Sequence, residues 1–156
     1  MKTKLMKTTV RGALAALLVL TFTPLLASGA GKLEGAWNVT VSVCNNGPTI
    51  TRLNTFMEGG TMQEFAAFVS PPLVVSRGPG HGVWEHLTNE DYSYAVQFFV
   101  FNPDGTFAGW RRERRDVVVD VSGNTYTATG TSQLYDVNGN PVGPPICATE
   151  IGTRFE

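Results

Sequence analysis

The 156-residue sequence lacks the patterns that most enzyme classes leave behind. After residue 30 no stretch sustains an apolar repeat of 3.6 residues, which excludes helical bundles and alternating strand–helix architectures. There is no Gly-x-Ser-x-Gly, no phosphate-binding loop and no Cys-x-x-Cys. The two histidines, His81 and His86, have neither a third histidine nor an ordered carboxylate spacing near them, so neither a metal nor a cofactor is expected. Charged residues make up only 16% of the chain, and the only dense run is Trp110-Arg111-Arg112-Glu113-Arg114-Arg115-Asp116. The only long apolar run, Gly12 to Leu20, is shorter than the roughly 20 residues that span a bilayer.

What is present begins with that run. Met1-Lys2-Thr3-Lys4-Leu5-Met6-Lys7 and Arg11 precede it, and the small residues Ala27-Ser28-Gly29-Ala30 follow Pro24. A basic start, a short apolar core and a small-residue cleavage site predict a secretory signal peptide over residues 1–30, with no membrane anchor after cleavage. Its removal leaves eight basic against thirteen acidic residues, a net charge of −5, which argues against a nucleic-acid partner. Residues 31–156 then form one domain, secreted or periplasmic, of a size that builds its own core.

Turn chemistry divides this domain into about eight extended runs, near 36–44, 50–58, 61–68, 82–88, 92–102, 106–120, 124–135 and 145–155. Asn102-Pro103-Asp104-Gly105-Thr106, Asp120-Val121-Ser122-Gly123-Asn124 and Asp136-Val137-Asn138-Gly139-Asn140 each read as a type I turn with a following left-handed glycine. Successive hairpins predict an all-β, up-and-down antiparallel meander. In the first strand Trp37, Val39, Val41 and Val43 alternate with Asn38, Thr40, Ser42 and Cys44. One antiparallel register sets Cys44 against Cys147 and Trp37 against Arg154, so first and last strands close an eight-stranded barrel. A Cys44–Cys147 disulfide on the outer face follows from that register and an oxidising compartment.

The same turns assign an inward face. Asn102 opposite Thr106 puts Phe98 beside Trp110 and Val96 beside Arg112; Asp120 opposite Asn124 puts Val118 beside Tyr126 and Arg114 beside Gly130. Ala148, Glu150, Gly152 and Arg154 join that face, and Glu64 is expected inside with Leu53 and Met57 facing it. Arg114 to Asp116 are read as a solvated strand end beyond the rim, and Pro144-Pro145 as a place where a bulge could shift parity. A pocket formed by Glu64, Trp84, His86, Tyr94, Phe98, Trp110 and Arg112 would hold a small molecule, aromatic walls binding its body and polar groups its end. The bland alternative is a narrow barrel plugged by internal ion pairs. A long loop, Val69 to Gly82, would lie near the mouth.

Gly35-x-Trp37 opening the first strand, with Arg154 near the end of the last, resembles the calycin superfamily and the lipocalins in particular. The resemblance implies that Trp37 packs at the closed end of the barrel with Arg154 across its ring, an arrangement favoured by cation–π attraction. It departs from the family in its shorter mature chain and in a long loop between strands three and four. The implied function is a secreted protein that binds a small, partly apolar or aromatic molecule in the lumen. Two other classes stay open. One is an isomerase- or cyclase-type barrel enzyme, like allene oxide cyclase or dirigent proteins, using Glu64 or His86 to move a proton. The other is a structural barrel with a filled interior. The sequence does not read on oligomeric state.

Overall fold

A computed structural model describes residues 32–67 and 76–155. Among these the chain forms β1 (Gly35–Val43), β2 (Thr49–Met57), β3 (Thr61–Ala67), β4 (Ser76–Arg77), β5 (Gly80–Thr88), β6 (Asp91–Phe101), β7 (Phe107–Val119), β8 (Thr125–Tyr135) and β9 (Pro141–Arg154). All pairings are antiparallel, and β1 pairs with both β2 and β9, so the sheet closes on itself. β4 continues the line of β5: Arg77 faces Val100 and His81 faces Gln97 on the same strand, β6. The result is a closed eight-stranded barrel in up-and-down order. The expected signal peptide and residues 69–75 of the expected loop lie outside the described residues. From Ser76 onward that loop is largely strand, because it finds β6 as a partner.

The closing register is the expected one. Trp37 faces Arg154, Val39 faces Gly152, and Val41 faces Glu150. One step further the Cys44 N–H donates to the Cys147 carbonyl at 3.1 Å. The two cysteines are disulfide-bonded with their Cα atoms 5.5 Å apart, within the usual span. Trp37, Val39 and Val41 are buried while Asn38, Thr40 and Ser42 are exposed, so the alternation in sequence becomes inside and outside.

Strand β7 departs from expectation. Asn102 pairs with Thr106 and Phe101 faces Phe107, but then Val100 faces Gly109, and Phe98 meets Arg111 rather than Trp110. The extra residue is a bulge at Ala108-Gly109, where Gly109 adopts φ +135°, a conformation that side chains strain. The next turn is also one residue longer than predicted: the Asp120 N–H donates to the Thr125 carbonyl at 2.9 Å, while the Asp120 carboxylate accepts from the Asn124 and Thr125 N–H groups. These two single-residue shifts cancel for β8 and β9 and invert β7 alone. Arg111, Glu113, Arg115, Val117 and Val119 therefore point inward, and Trp110, Arg112, Arg114, Asp116 and Val118 outward. At Gly143-Pro144-Pro145 the register slips by two, from Leu134 facing Val142 to Ser132 facing Ile146, so parity survives. On β2 the inward residues are Arg52, Asn54 and Phe56; Leu53 lies outside against Phe65.

The barrel has two unlike ends. One carries the hairpins at 57–61, 88–91 and 120–125 and is packed with Trp37, Phe56, Tyr92, Val119 and Tyr126. Residues 32–34 fold across it. Leu33 is fully buried there, and its carbonyl accepts a 2.8 Å hydrogen bond from Trp37 Nε1. The Arg154 guanidinium sits 4.3 Å from the Trp37 ring and donates to the carbonyls of Gly123, Glu34 and Lys32. The Trp37–Arg154 expectation is thus met in geometry, and Arg154 also fastens the N-terminal segment to the barrel.

Candidate functional site

The middle of the lumen holds three arginines and three glutamates. Arg52 grips Glu113 with two bonds, at 2.6 and 3.0 Å, and its Nε lies 3.3 Å from Glu64. Arg115 donates from Nε to Glu150 at 2.8 Å and from Nη2 to Glu113 at 3.0 Å. Arg77, on β4, pairs with the other Glu64 oxygen. The Tyr94 hydroxyl completes the set, donating to Glu150 at 2.6 Å. Arg52, Glu64, Glu113, Arg115 and Glu150 are each no more than 3% exposed. Charges balance three against three. A buried charge is tolerated only with such partners, and the network supplies them from five strands.

The electrostatics follow from this placement. Burial opposes the Glu113 carboxylate, but Arg52 and Arg115 overcome it and hold its pKa down to about 2. Burial likewise works against the Arg52 charge, and Glu113, Glu64 and Glu150 more than restore it. For Glu64 burial wins over Arg52 and Arg77, and its carboxyl lies above the ordinary range. Burial and Glu150 push the Tyr94 hydroxyl well up, so it remains a donor.

The seven residues expected to converge occupy different places. Glu64 and Tyr94 are in the central network, with Glu64 locked between two guanidiniums. Phe98 lies toward the other end, beneath Arg77 at 3.2 Å from its ring centre. Trp110 and Arg112 are on the outer face, a consequence of the Gly109 bulge: Trp110 stacks with Phe107 and Tyr135, and Arg112 donates to Gln97. Trp84 and His86 are at the Trp37 end, Trp84 half-buried with Nε1 donating to the Met57 carbonyl, His86 exposed at the rim. The expected pocket is thus split, with Trp84 and His86 together at one end and Glu64 and Tyr94 in the central network. Sequence reading missed Arg52, Arg77, Glu113 and Arg115 as interior residues, although Arg52 alternates with Ile50, Asn54 and Phe56 in one strand.

Trp84 and His86 line a cavity of about 410 Å³ with Tyr92, Lys32, Leu33, Glu34, Asn89 and Glu90. The rings form a continuous wall: Trp84 to Tyr92 is 5.9 Å and Tyr92 to His86 is 4.6 Å between centroids. His86 Nε2 lies 2.6 Å from the Asn89 carbonyl; a carbonyl only accepts, so Nε2 carries the proton. Asn89 adopts φ +51° in the tight turn that presents both His86 and Glu90. Burial above all, with Glu34 and Glu90 facing it, pushes the Tyr92 hydroxyl up against a backbone hydrogen bond from Leu33.

A closed eight-stranded antiparallel barrel with its first strand joined to its last is compatible with a calycin-like fold, and its disulfide is consistent with an oxidising compartment. No protein-family model matches the chain, and no curated protein matches it in sequence.

Proposed function

We propose that the chain is an exported, lipocalin-like protein that binds a small, partly aromatic or apolar molecule at the Trp37 end of the barrel. The observation that carries this reading is the end cavity. Its volume of about 410 Å³ lies in the range of small-molecule sites, and Trp84, Tyr92, His86 and Leu33 give it apolar walls. The middle of the lumen, by contrast, is occupied by the ion network, so the ligand belongs beside Trp84 rather than beside Glu64. Signal cleavage near residue 30 would place the start of the mature chain next to this cavity. Native mass spectrometry of protein purified from its host tests the proposal. A co-purifying small molecule that Trp84→Ala releases, with circular dichroism showing the barrel still folded, is expected; retention of the molecule by that variant would refute it.

A second reading, a structural barrel with a filled interior, is favoured by the buried network itself. It predicts that no small molecule co-purifies and that Trp84 and His86 can be replaced without functional loss. The isomerase or cyclase alternative draws less support, because Glu64 is enclosed by Arg52 and Arg77 while His86 stands at the rim, in another layer of the barrel.

A further inference from the structure

The ligand class can be narrowed, on the reading that the end cavity is the binding site. Three charged residues border it: Lys32, Glu34 and Glu90, a net of one negative charge. The two carboxylates come from different elements, Glu34 from the segment folded across the barrel end and Glu90 from the β5–β6 turn. Both border the cavity that Tyr92 lines. Among the described residues neither has a cationic partner within ion-pair distance, unlike the glutamates of the central network. Lys32 is exposed, held through its carbonyl by Arg154.

The same cavity is walled by the rings of Trp84 and Tyr92, with His86 tilted against Tyr92. Aromatic faces carry negative potential, and Trp and Tyr are the best rings for holding a cation. Two unpaired carboxylates beside an aromatic wall repel an anion and give a cation both a diffuse and a direct counter-charge. We infer that the end cavity selects a small organic ammonium ion with an aromatic or apolar body, the body lying on Trp84 and the ammonium near Tyr92, Glu34 and Glu90.

Isothermal titration of the mature protein at low salt with two probes of equal shape tests this: 4-hydroxyphenyltrimethylammonium and its neutral isostere 4-tert-butylphenol. The ammonium probe is expected to bind about tenfold more tightly than the phenol. Raising the salt concentration should weaken the ammonium probe and leave the phenol unchanged. Glu34→Gln/Glu90→Gln should bring the two affinities together, with the melting temperature confirming the fold. Trp84→Phe should weaken the ammonium probe more than the phenol. Equal affinities for the two probes, or a preference untouched by salt and by the double variant, would overturn the inference while leaving the cavity as a site. Failure of both probes to bind at all would overturn it together with the end-cavity reading.

Discussion

Replacing Arg115 with methionine removes one cation from the centre of the barrel while keeping much of its volume. Arg115 serves both Glu113 and Glu150 and also donates to the carbonyls of Arg114 and Thr131. Without it, three buried carboxylates are left with Arg52 and Arg77 as ion-pair partners, and Glu150 keeps the Tyr94 hydroxyl and a 3.7 Å approach of Arg52. Breaking a buried pair from one side typically costs about 3–5 kcal/mol, because the other charge stays buried. For a domain of this size that corresponds to a fall of about 10–20 °C in melting temperature. The pH dependence has a definite sign. In the wild type Glu113 is held at about 2, below its unfolded value, so its stabilisation is present above the unfolded pKa and lost as pH falls toward 2. In the variant the stranded carboxylates are buried charges that have lost their cation, so they destabilise at neutral pH and protonation relieves them. The gap between the proteins should therefore narrow on moving from neutral to acidic pH. Adding Glu150→Gln, which removes one negative charge and keeps an acceptor for Tyr94, should recover part of the loss. Urea denaturation of wild type, single and double variants at both pH values measures all of this. A single-variant loss under about 1 kcal/mol, or a loss independent of pH, would refute the claim that these six charges form one buried network.

Reducing the disulfide, which closes a loop of 103 residues in sequence separation, should cost up to about 4–5 kcal/mol by the loop-entropy argument; far-UV circular dichroism should show the barrel retained and its melting lowered. Trp37→Ala empties a fully buried site and should cost about 3–5 kcal/mol in chemical denaturation. Arg154→Ala should cost less, about 2–3 kcal/mol, through the lost cation–π contact and three carbonyl hydrogen bonds, with faster proteolysis near residues 32–34 as its separate sign. Arg112→Ala should change stability by no more than about 0.5 kcal/mol, since its guanidinium lies outside the barrel on Gln97; a larger loss would place it back in the lumen.

Closure of the barrel was legible because two independent pairs, Cys44 with Cys147 and Trp37 with Arg154, demand the same register. The interior was less so, because a side-chain period of two makes every one-residue irregularity an inversion. Gly109 gave no sign in sequence that it would form a bulge instead of continuing the strand, and Asp120 could close its turn on Asn124 or Thr125. Pairwise errors at these places cancelled beyond β7, which kept Tyr126, Ala148 and Glu150 inside while sending Trp110 and Arg112 to the wrong face. Charge was the second obstacle. Arg52, Glu113 and Arg115 look like surface residues one at a time, and only their mutual neutralisation makes an interior position tolerable. Leu33 escaped notice as a cavity wall because the segment that folds over the barrel end carries no periodic signal.

The central proposal is that a ligand sits in the Trp84–Tyr92 cavity and not among the ion network in the middle of the barrel. Backbone and side-chain NMR shifts, followed while the mature protein is titrated with 4-hydroxyphenyltrimethylammonium, test it most directly. The account predicts saturable changes confined to residues 32–34 and 84–92, with the signals of Arg52, Glu113, Arg115 and Glu150 unmoved. Changes centred on those four residues, with the barrel end silent, would contradict it.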